Sequence, residues 1–189
     1  MLDSFFLRML NREASAPGSG ADKIIDALGV KEGEVIADLG SGGGYFSCEF
    51  ARRVGKTGRV YAVDVKERNL SFVERLCEQE GLKNVTFVLA RGKQMDLPEG
   101  GVDLAFARNT FHHLPEPVSY FENFRRYLIS GGKVAIIEHK PKKGLSFVAL
   151  FRHYTPQEVI LQKMNEAGYS LVESFNFLPG QVFDLFGID

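Results

Sequence analysis

Asp38 is followed by Gly40, Ser41, Gly42, Gly43 and Gly44, four glycines within five residues. Glycine is needed where φ is positive or where another group must come close to the backbone. From Tyr45 to Ala51 apolar residues recur at helical spacing, and a helix start carries unpaired N–H groups and partial positive charge. Such a turn is a cradle for a carboxylate or phosphate. Roughly twenty residues on, Asp64 ends a second apolar run, where an acid can accept hydrogen bonds from both hydroxyls of a ribose. A dinucleotide fingerprint, G-x-G-x-x-G, would need glycine where Tyr45 stands. The pattern present is Asp38-x-Gly40-x-Gly42-x-Gly44. Farther on, His112-His113 follow the run Val102–Arg108, and Glu138-His139 end the run from Val134. Histidine titrates near neutrality, so either ring can serve as a proton acceptor.

These groups have to be positioned by elements that the sequence also marks. Before the glycine turn lies the apolar run Val35–Leu39. Further β-branched runs span Val60–Val65, Val85–Ala90, Val102–Arg108 and Val134–His139. Between them the spacing predicts helices over Tyr45–Val54, Glu67–Glu80 and Pro117–Ile129, and Ala21–Leu28 precedes the first run. Short strands alternating with helices imply right-handed crossovers and a parallel sheet. Ligands in such sheets sit beyond the carboxyl ends of the strands, where the glycine turn and Asp64 both fall. Thr155-Pro156-Gln157-Glu158 reads as a helix start, with Thr155 as N-cap and Glu158 in the capping-box position. Two extended segments, 169–177 and 181–186, flank Pro179-Gly180 as an antiparallel hairpin would.

Residues 1–16 carry Leu2, Phe5, Phe6, Met9 and Leu10 on one helical face, and Pro17-Gly18-Ser19-Gly20 breaks the pattern. The expectation is an amphipathic helix on a hinge, either a mobile lid or a helix packed permanently on the rest. The basic run Lys140-Pro141-Lys142-Lys143-Gly144 reads as a solvated connection.

At 189 residues the chain suits one sizeable core, with 44% hydrophobic and 25% charged residues. A net charge of -1 gives no basic stripe for nucleic acid. No apolar run reaches the roughly twenty residues that span a bilayer, and no basic flank with a long apolar core marks a secretory signal. Cys48 and Cys77, in predicted helices and without metal-ligand spacing, fit buried positions and a reducing cytoplasm.

With these pieces placed, the chain resembles the class I S-adenosylmethionine (SAM)-dependent methyltransferases over about Ala21 to Phe186. It is similar to the small-molecule ubiquinone/menaquinone-biosynthesis group. Val35–Gly44 resembles the first motif, Asp64 the ribose acid, and Asp103–Pro115, with its histidine pair, the fourth strand and its exit. Leu128-Ile129-Ser130-Gly131-Gly132 is similar to the family's L-x-P-G-G turn. The resemblance implies a Rossmann-like three-layer α/β fold. Its sheet has seven strands, mostly parallel, in the order 3-2-1-4-5-7-6 with strand 7 antiparallel, and residues 17–189 form one SAM-binding domain.

The resemblance also implies roles. Gly40, Ser41, Gly42 and Gly44 pack against the methionine part of SAM, Asp38 helps hold its amino group, and Asp64, with Val65 beside it, takes the ribose. Where the family reads G-D-A-x-x-L-P, with the acid on the adenine amino group, this chain reads Gly92-Lys93-Gln94-Met95-Asp96-Leu97-Pro98. Lysine cannot accept that hydrogen bond. The adenine then falls to Gln94 and Met95, to packing and backbone, or to Asp96. Asn109 can bond the backbone or the amino-acid end of SAM. Methyl transfer is an in-line displacement for which alignment supplies roughly 7–11 kcal/mol. A hydroxyl acceptor also needs a base, for which His112 and His113 are the candidates. Glu138 could orient one of them, and Arg152 could hold an anionic acceptor. Phe111, Phe147, Phe151, Phe177 and Phe183 are candidate apolar walls. No metal is expected.

Rival chemistries lack their marks. There is no Tyr-x-x-x-Lys pair for a short-chain dehydrogenase, no Asn-Pro-Pro-Tyr for a nucleic-acid methyltransferase, and no Asp/Asn cluster for a metal-dependent catechol enzyme. Two cysteines in helices do not suit arsenic methylation. The alternative kept is a non-catalytic SAM-binding protein on the same fold.

Overall fold

The computed structural model describes residues 2–140 and 154–188. Seven strands form one sheet in the order β3-β2-β1-β4-β5-β7-β6, as the resemblance implied. They are β1 (Val35–Leu39), β2 (Arg59–Asp64), β3 (Val85–Leu89), β4 (Val102–Arg108), β5 (Leu128–His139), β6 (Ser170–Phe175) and β7 (Gln181–Gly187). Strands β1 to β5 pair in parallel, and β7 runs antiparallel to both β5 and β6. The described helices are α1 (Leu2–Ala14), α2 (Ala21–Leu28), α3 (Tyr45–Val54), α4 (Glu67–Gln79), α5 (Pro117–Phe124) and α6 (Gln157–Glu166).

The central strands read as nearly continuous apolar runs because both sheet faces are covered. Alternation then sends neighbours to opposite layers. Ala37, Leu39, Ala105 and Ala107 pack with Phe121, Phe124, Ile160 and Met164 of α5 and α6. Ile36, Leu104 and Phe106 pack with Ile24, Ile25, Phe46 and Phe50 of α2 and α3. Asp38 follows Ile36 in that alternation, so it faces α3.

Three local expectations change in the structure. The helix expected over Pro117–Ile129 ends at Phe124, followed by a 3-10 turn, Arg125–Tyr127, and β5 already begins at Leu128. Gly100 and Gly101 donate to the carbonyls of Arg126 and Tyr127, and Leu128 pairs with Val102. That ladder outweighs a helical pattern already weakened by Ile129, Ser130 and two glycines. Thr155 does not cap α6. Pro156 occupies the N-cap position with ψ 142°, and its ring offers no acceptor to the first-turn N–H groups, so no side-chain cap forms.

The third change concerns α1. The side chains expected to form its inward face are largely outside: Phe5 is 70% exposed, Phe6 51% and Met9 40%. Leu7 is buried instead, with Leu10, Asn11 and Ala14 half-buried on the same side. One polar contact helps select this face, because Asn11 donates to the Gly43 carbonyl at 2.7 Å. The two cysteines are buried as expected, with their Sγ atoms 3.9 Å apart between α3 and α4. Lys140 is the last described residue of the basic run, and the rest of that run, Phe147, Phe151 and Arg152 lie outside the described residues.

Candidate active site

The glycine turn leaves β1 and is tied to β2: Gly40 and Ser41 both donate their N–H to the Val63 carbonyl, at 2.8 and 2.9 Å. Gly44 caps α3 in the left-handed region with φ 82°, and a Cβ there would stand 2.6 Å from Val73 of α4. Any other residue would strain the backbone and push α4 away, so the turn's proximity to α4 depends on glycine. Ser41 is buried, yet its Oγ has no hydrogen-bond partner. An orphaned hydroxyl beside a bare backbone loop at the carboxyl edge of the sheet fits the polar methionine end of SAM.

Asp38 is 4% exposed and accepts a 2.5 Å hydrogen bond from Ser47 Oγ of α3. Burial pushes its pKa up to about 7, opposed by the Ser47 bond and helped by the nearby charge of Asp64. A raised carboxyl binds its proton in the folded state between about pH 4 and 7, so stability falls as pH rises through that window. Asp38→Asn is therefore expected to stabilise the ligand-free protein by on the order of 2 kcal/mol at pH 8 and by nothing near pH 4. Thermal melts across that range check it, and equal melting temperatures at pH 8 would contradict the burial penalty.

Asp64 is also buried and already engaged. Its Oδ2 accepts from Gly42 N–H and Asn69 Nδ2, both at 3.1 Å, and its Oδ1 accepts from Lys66 N–H at 2.9 Å. The carboxylate thus ties the glycine turn to the start of α4, and Oδ1 keeps a lone pair for a further donor. Val65 beside it is 68% exposed, an apolar side chain on the rim of the crevice.

Beyond β3 the loop folds on itself, with Arg91 and Gln94 exchanging backbone hydrogen bonds. Met95 is buried and its carbonyl accepts from Tyr127 Oη at 3.0 Å, while Gln94 is exposed. Gln94, Met95 and Asp96 line one open hollow with Leu89 and Arg91. Lys93, which stands where the family has an acid, extends its ammonium to Glu116 at 2.7 Å. Its charge is thereby drawn to a surface carboxylate, which Lys93 and Ser119 hold below its ordinary range.

The exit of β4 carries the proton-transfer candidates. Asn109 has φ 54°, the one positive φ outside glycine among the described residues. Its Oδ1 accepts from Gln181 Nε2 at 2.9 Å, and its N–H bonds the Ile137 carbonyl. A one-turn 3-10 helix, Phe111–His113, follows. His112 Nδ1 lies 2.9 Å from Glu138 Oε2, and the His112 backbone N–H donates to Glu138 Oε1 at 3.3 Å. The His112 side chain is 7% exposed and that of Glu138 fully buried. The His113 ring lies 4.0 Å from the His112 ring, and residue 113 is exposed. With Nδ1–H given to the carboxylate, His112 Nε2 carries the lone pair and can accept a proton. Phe111 stacks on Phe121 and Phe183 packs against Phe175 and Phe177; Phe111 and Phe183 are buried in the core.

The structure brings Asp38, Ser41, Gly42 and Asp64 together, and joins His112 to Glu138. Ser47, Asn69, Arg108 and Gln181 bond to or adjoin these candidate groups and were not singled out by sequence reasoning. Ser47 and Asn69 stand in the first turns of α3 and α4, where small polar residues carry no motif. Gln181 reaches Asn109 from 72 residues away, which no local pattern reveals.

Comparison with known proteins bears on the family and the fold. A family described as a methyltransferase domain matches residues 30–175. The ubiquinone/menaquinone biosynthesis C-methyltransferase UbiE of Hydrogenovibrio crunogenus is 26% identical over 188 residues, covering 84% of this chain and 74% of that protein. Its counterpart from Escherichia fergusonii is 24% identical with like coverage. Among solved structures, a SAM-dependent methyltransferase from Aquifex aeolicus superposes with TM-score 0.87 at 24% identity over 98% of each chain. The [4+2]-cyclase SpnF shares the fold at TM-score 0.78 and 14% identity, covering 99% of this chain and 93% of that one. Since the family match spans most of the sequence and the fold is that of the solved relative, the chain belongs to the methyltransferase-domain family and is a SAM-dependent methyltransferase.

Proposed function

We propose that this enzyme methylates a small-molecule acceptor whose nucleophile must lose a proton, with His112 as the base and Glu138 as its orienting partner. Bound SAM supplies an electrophilic methyl group on a sulfonium. The chain's own part is to hold, orient and deprotonate. The glycine turn and Ser41 cradle the methionine end, Asp38 faces its ammonium, and Asp64 takes the ribose. Val65, Gln94 and Met95 border the space for the base. Asn109 is the candidate partner for the amino-acid end of SAM.

The observation that carries the reading is the buried His112–Glu138 pair at the carboxyl rim of β4 and β5. A carboxylate with no exposure needs a partner to remain in the core, and imidazole held this way presents one nitrogen as a base. The carbon methylation named for the ubiquinone/menaquinone relatives suits this arrangement. A phenol or enol acceptor gives up its O–H proton to His112, and the charge released onto the ring carbon makes that carbon the nucleophile. Helix α1, whose Asn11 and Leu7 meet Gly43, serves as a lid over the glycine turn, and residues 17–189 act as one SAM-binding domain.

Calorimetry with S-adenosylhomocysteine (SAH) and transfer of labelled methyl from SAM into a pool of small phenols test this reading. Micromolar SAH binding together with a labelled organic product is expected. Absence of SAH binding would overturn it, and binding without transfer to any phenol or enol would leave the non-catalytic alternative in its place.

A further inference from the structure

Arg108 ends β4 on the same face as Leu104 and Phe106. Its guanidinium carbon lies 5.0 Å from the centre of the Phe46 ring at the start of α3. One terminal nitrogen donates to Gln181 Oε1 at 3.2 Å. Its Nε is buried and has no hydrogen-bond partner. Among the described residues no carboxylate lies within ion-pair reach of it, although the charge of Glu13 on α1 acts on it from farther away. A partly buried cation in this condition is costly to the ligand-free fold, and a chain retains it where a ligand completes it.

The surroundings hold the group in place. Gln181 is buried, and its amide is fixed at both ends: Oε1 accepts from Arg108 and Nε2 donates to Asn109 Oδ1 at 2.9 Å. Asn109 in turn is locked in the left-handed conformation, and strain of this kind gathers at ligand clamps. Gln181 and Asn109, from two distant parts of the chain, thus fix one guanidinium at the carboxyl rim of the sheet, and Phe46 backs it. Arginine presents Nε–H and a terminal N–H as a planar fork that matches two oxygens of one carboxylate.

We propose that Arg108, aimed by Gln181, is a carboxylate receptor that completes its hydrogen bonding only when ligand is bound. The proposal rests on the methyltransferase reading for where the ligand lies. Two sources share this chemistry: the amino-acid end of SAM, and a carboxylate on the acceptor. Asp38 faces the ammonium in the first case, so Arg108 and Asp38 would divide the two charges of the amino-acid end between them.

The test compares wild type, Arg108→Gln and Gln181→Leu by calorimetry with three probes. SAH carries the carboxylate, 5′-methylthioadenosine lacks the whole amino-acid end, and benzoate is a bare carboxylate titrated into the protein with and without SAH. If the carboxylate is that of SAM, Arg108→Gln weakens SAH at least tenfold and methylthioadenosine less than twofold. Gln181→Leu then shows a smaller effect of the same pattern. If it is the acceptor's, SAH affinity is unchanged, and millimolar benzoate binding to the SAH complex is lost in Arg108→Gln. In either case Arg108→Gln melts no lower than wild type without ligand, because an incompletely bonded cation has been removed. The proposal is overturned if neither SAH nor benzoate affinity depends on Arg108. It is equally overturned if the variant melts several degrees lower and loses SAH and methylthioadenosine alike, the mark of a purely structural arginine. Should wild type bind no nucleoside at all, the methyltransferase reading fails, while benzoate binding to the free protein still judges Arg108.

Discussion

Replacing Glu138 by glutamine is expected to lower kcat for methyl transfer by about 10²–10³-fold while leaving the affinity for SAH within twofold. The amide keeps the shape of the carboxylate and an oxygen for the His112 backbone N–H. It no longer provides the negative charge that holds the His112 ring through Nδ1. His112→Gln should cost a similar factor, and the double variant no more than either alone, because two residues acting as one unit lose their joint effect once. The two single variants differ in stability. Removing His112 strands a fully buried carboxylate, at a cost of about 3–5 kcal/mol, whereas Glu138→Gln leaves no charge behind. Steady-state kinetics with SAH calorimetry and thermal melts separate these effects. Turnover within threefold of wild type in the folded Glu138→Gln protein would show that alignment of the methyl acceptor suffices without a base.

Asp64→Ala is expected to weaken SAH by at least about 100-fold, since hydrogen bonds to a charged group are worth about 1.5–3 kcal/mol each. The structure adds a reason beyond the ribose. The same carboxylate accepts from Gly42, Lys66 and Asn69, so its loss also frees the glycine turn from α4. Asn69→Ala, which removes one donor and keeps the acid, should change SAH affinity by less than fivefold. If Asp64→Ala binds SAH within threefold of wild type, Asp64 does not hold the ribose.

The lid reading of α1 shows how far a helical pattern can mislead about orientation. The spacing of Phe5, Phe6 and Met9 marks an apolar face, and burial of that face would be the ordinary outcome. The protein instead turns Leu7 and Asn11 inward, with Leu10 of the expected face half-buried beside them. A backbone carbonyl on the glycine turn needs a donor, and Asn11 supplies it. A tertiary hydrogen bond and the shape of the turn compete with apolar area here, and periodicity registers only the area. The early end of α5 has a similar origin. Its continuation as β5 depends on pairing with Val102 and the bonds from Gly100 and Gly101, partners that lie outside any local window.

Local chemistry displayed the alternating strands and helices, the glycine turn and its two acids, while the order of the seven strands came from the family resemblance. Short apolar runs, glycine at left-handed positions and an acid closing a strand are all properties of neighbouring residues, so the sequence displays them directly. Tertiary structure decided which polar groups meet. His112 finds Glu138 across 26 residues and Asn109 finds Gln181 across 72, and whether Arg108 is left wanting a partner depends on everything that folds around it. Such contacts exist only once long loops have closed and burial has made unpaired groups costly, which is why the sequence names His112, His113 and Glu138 as separate candidates while only the folded chain pairs His112 with Glu138 and sets Arg108 against Gln181.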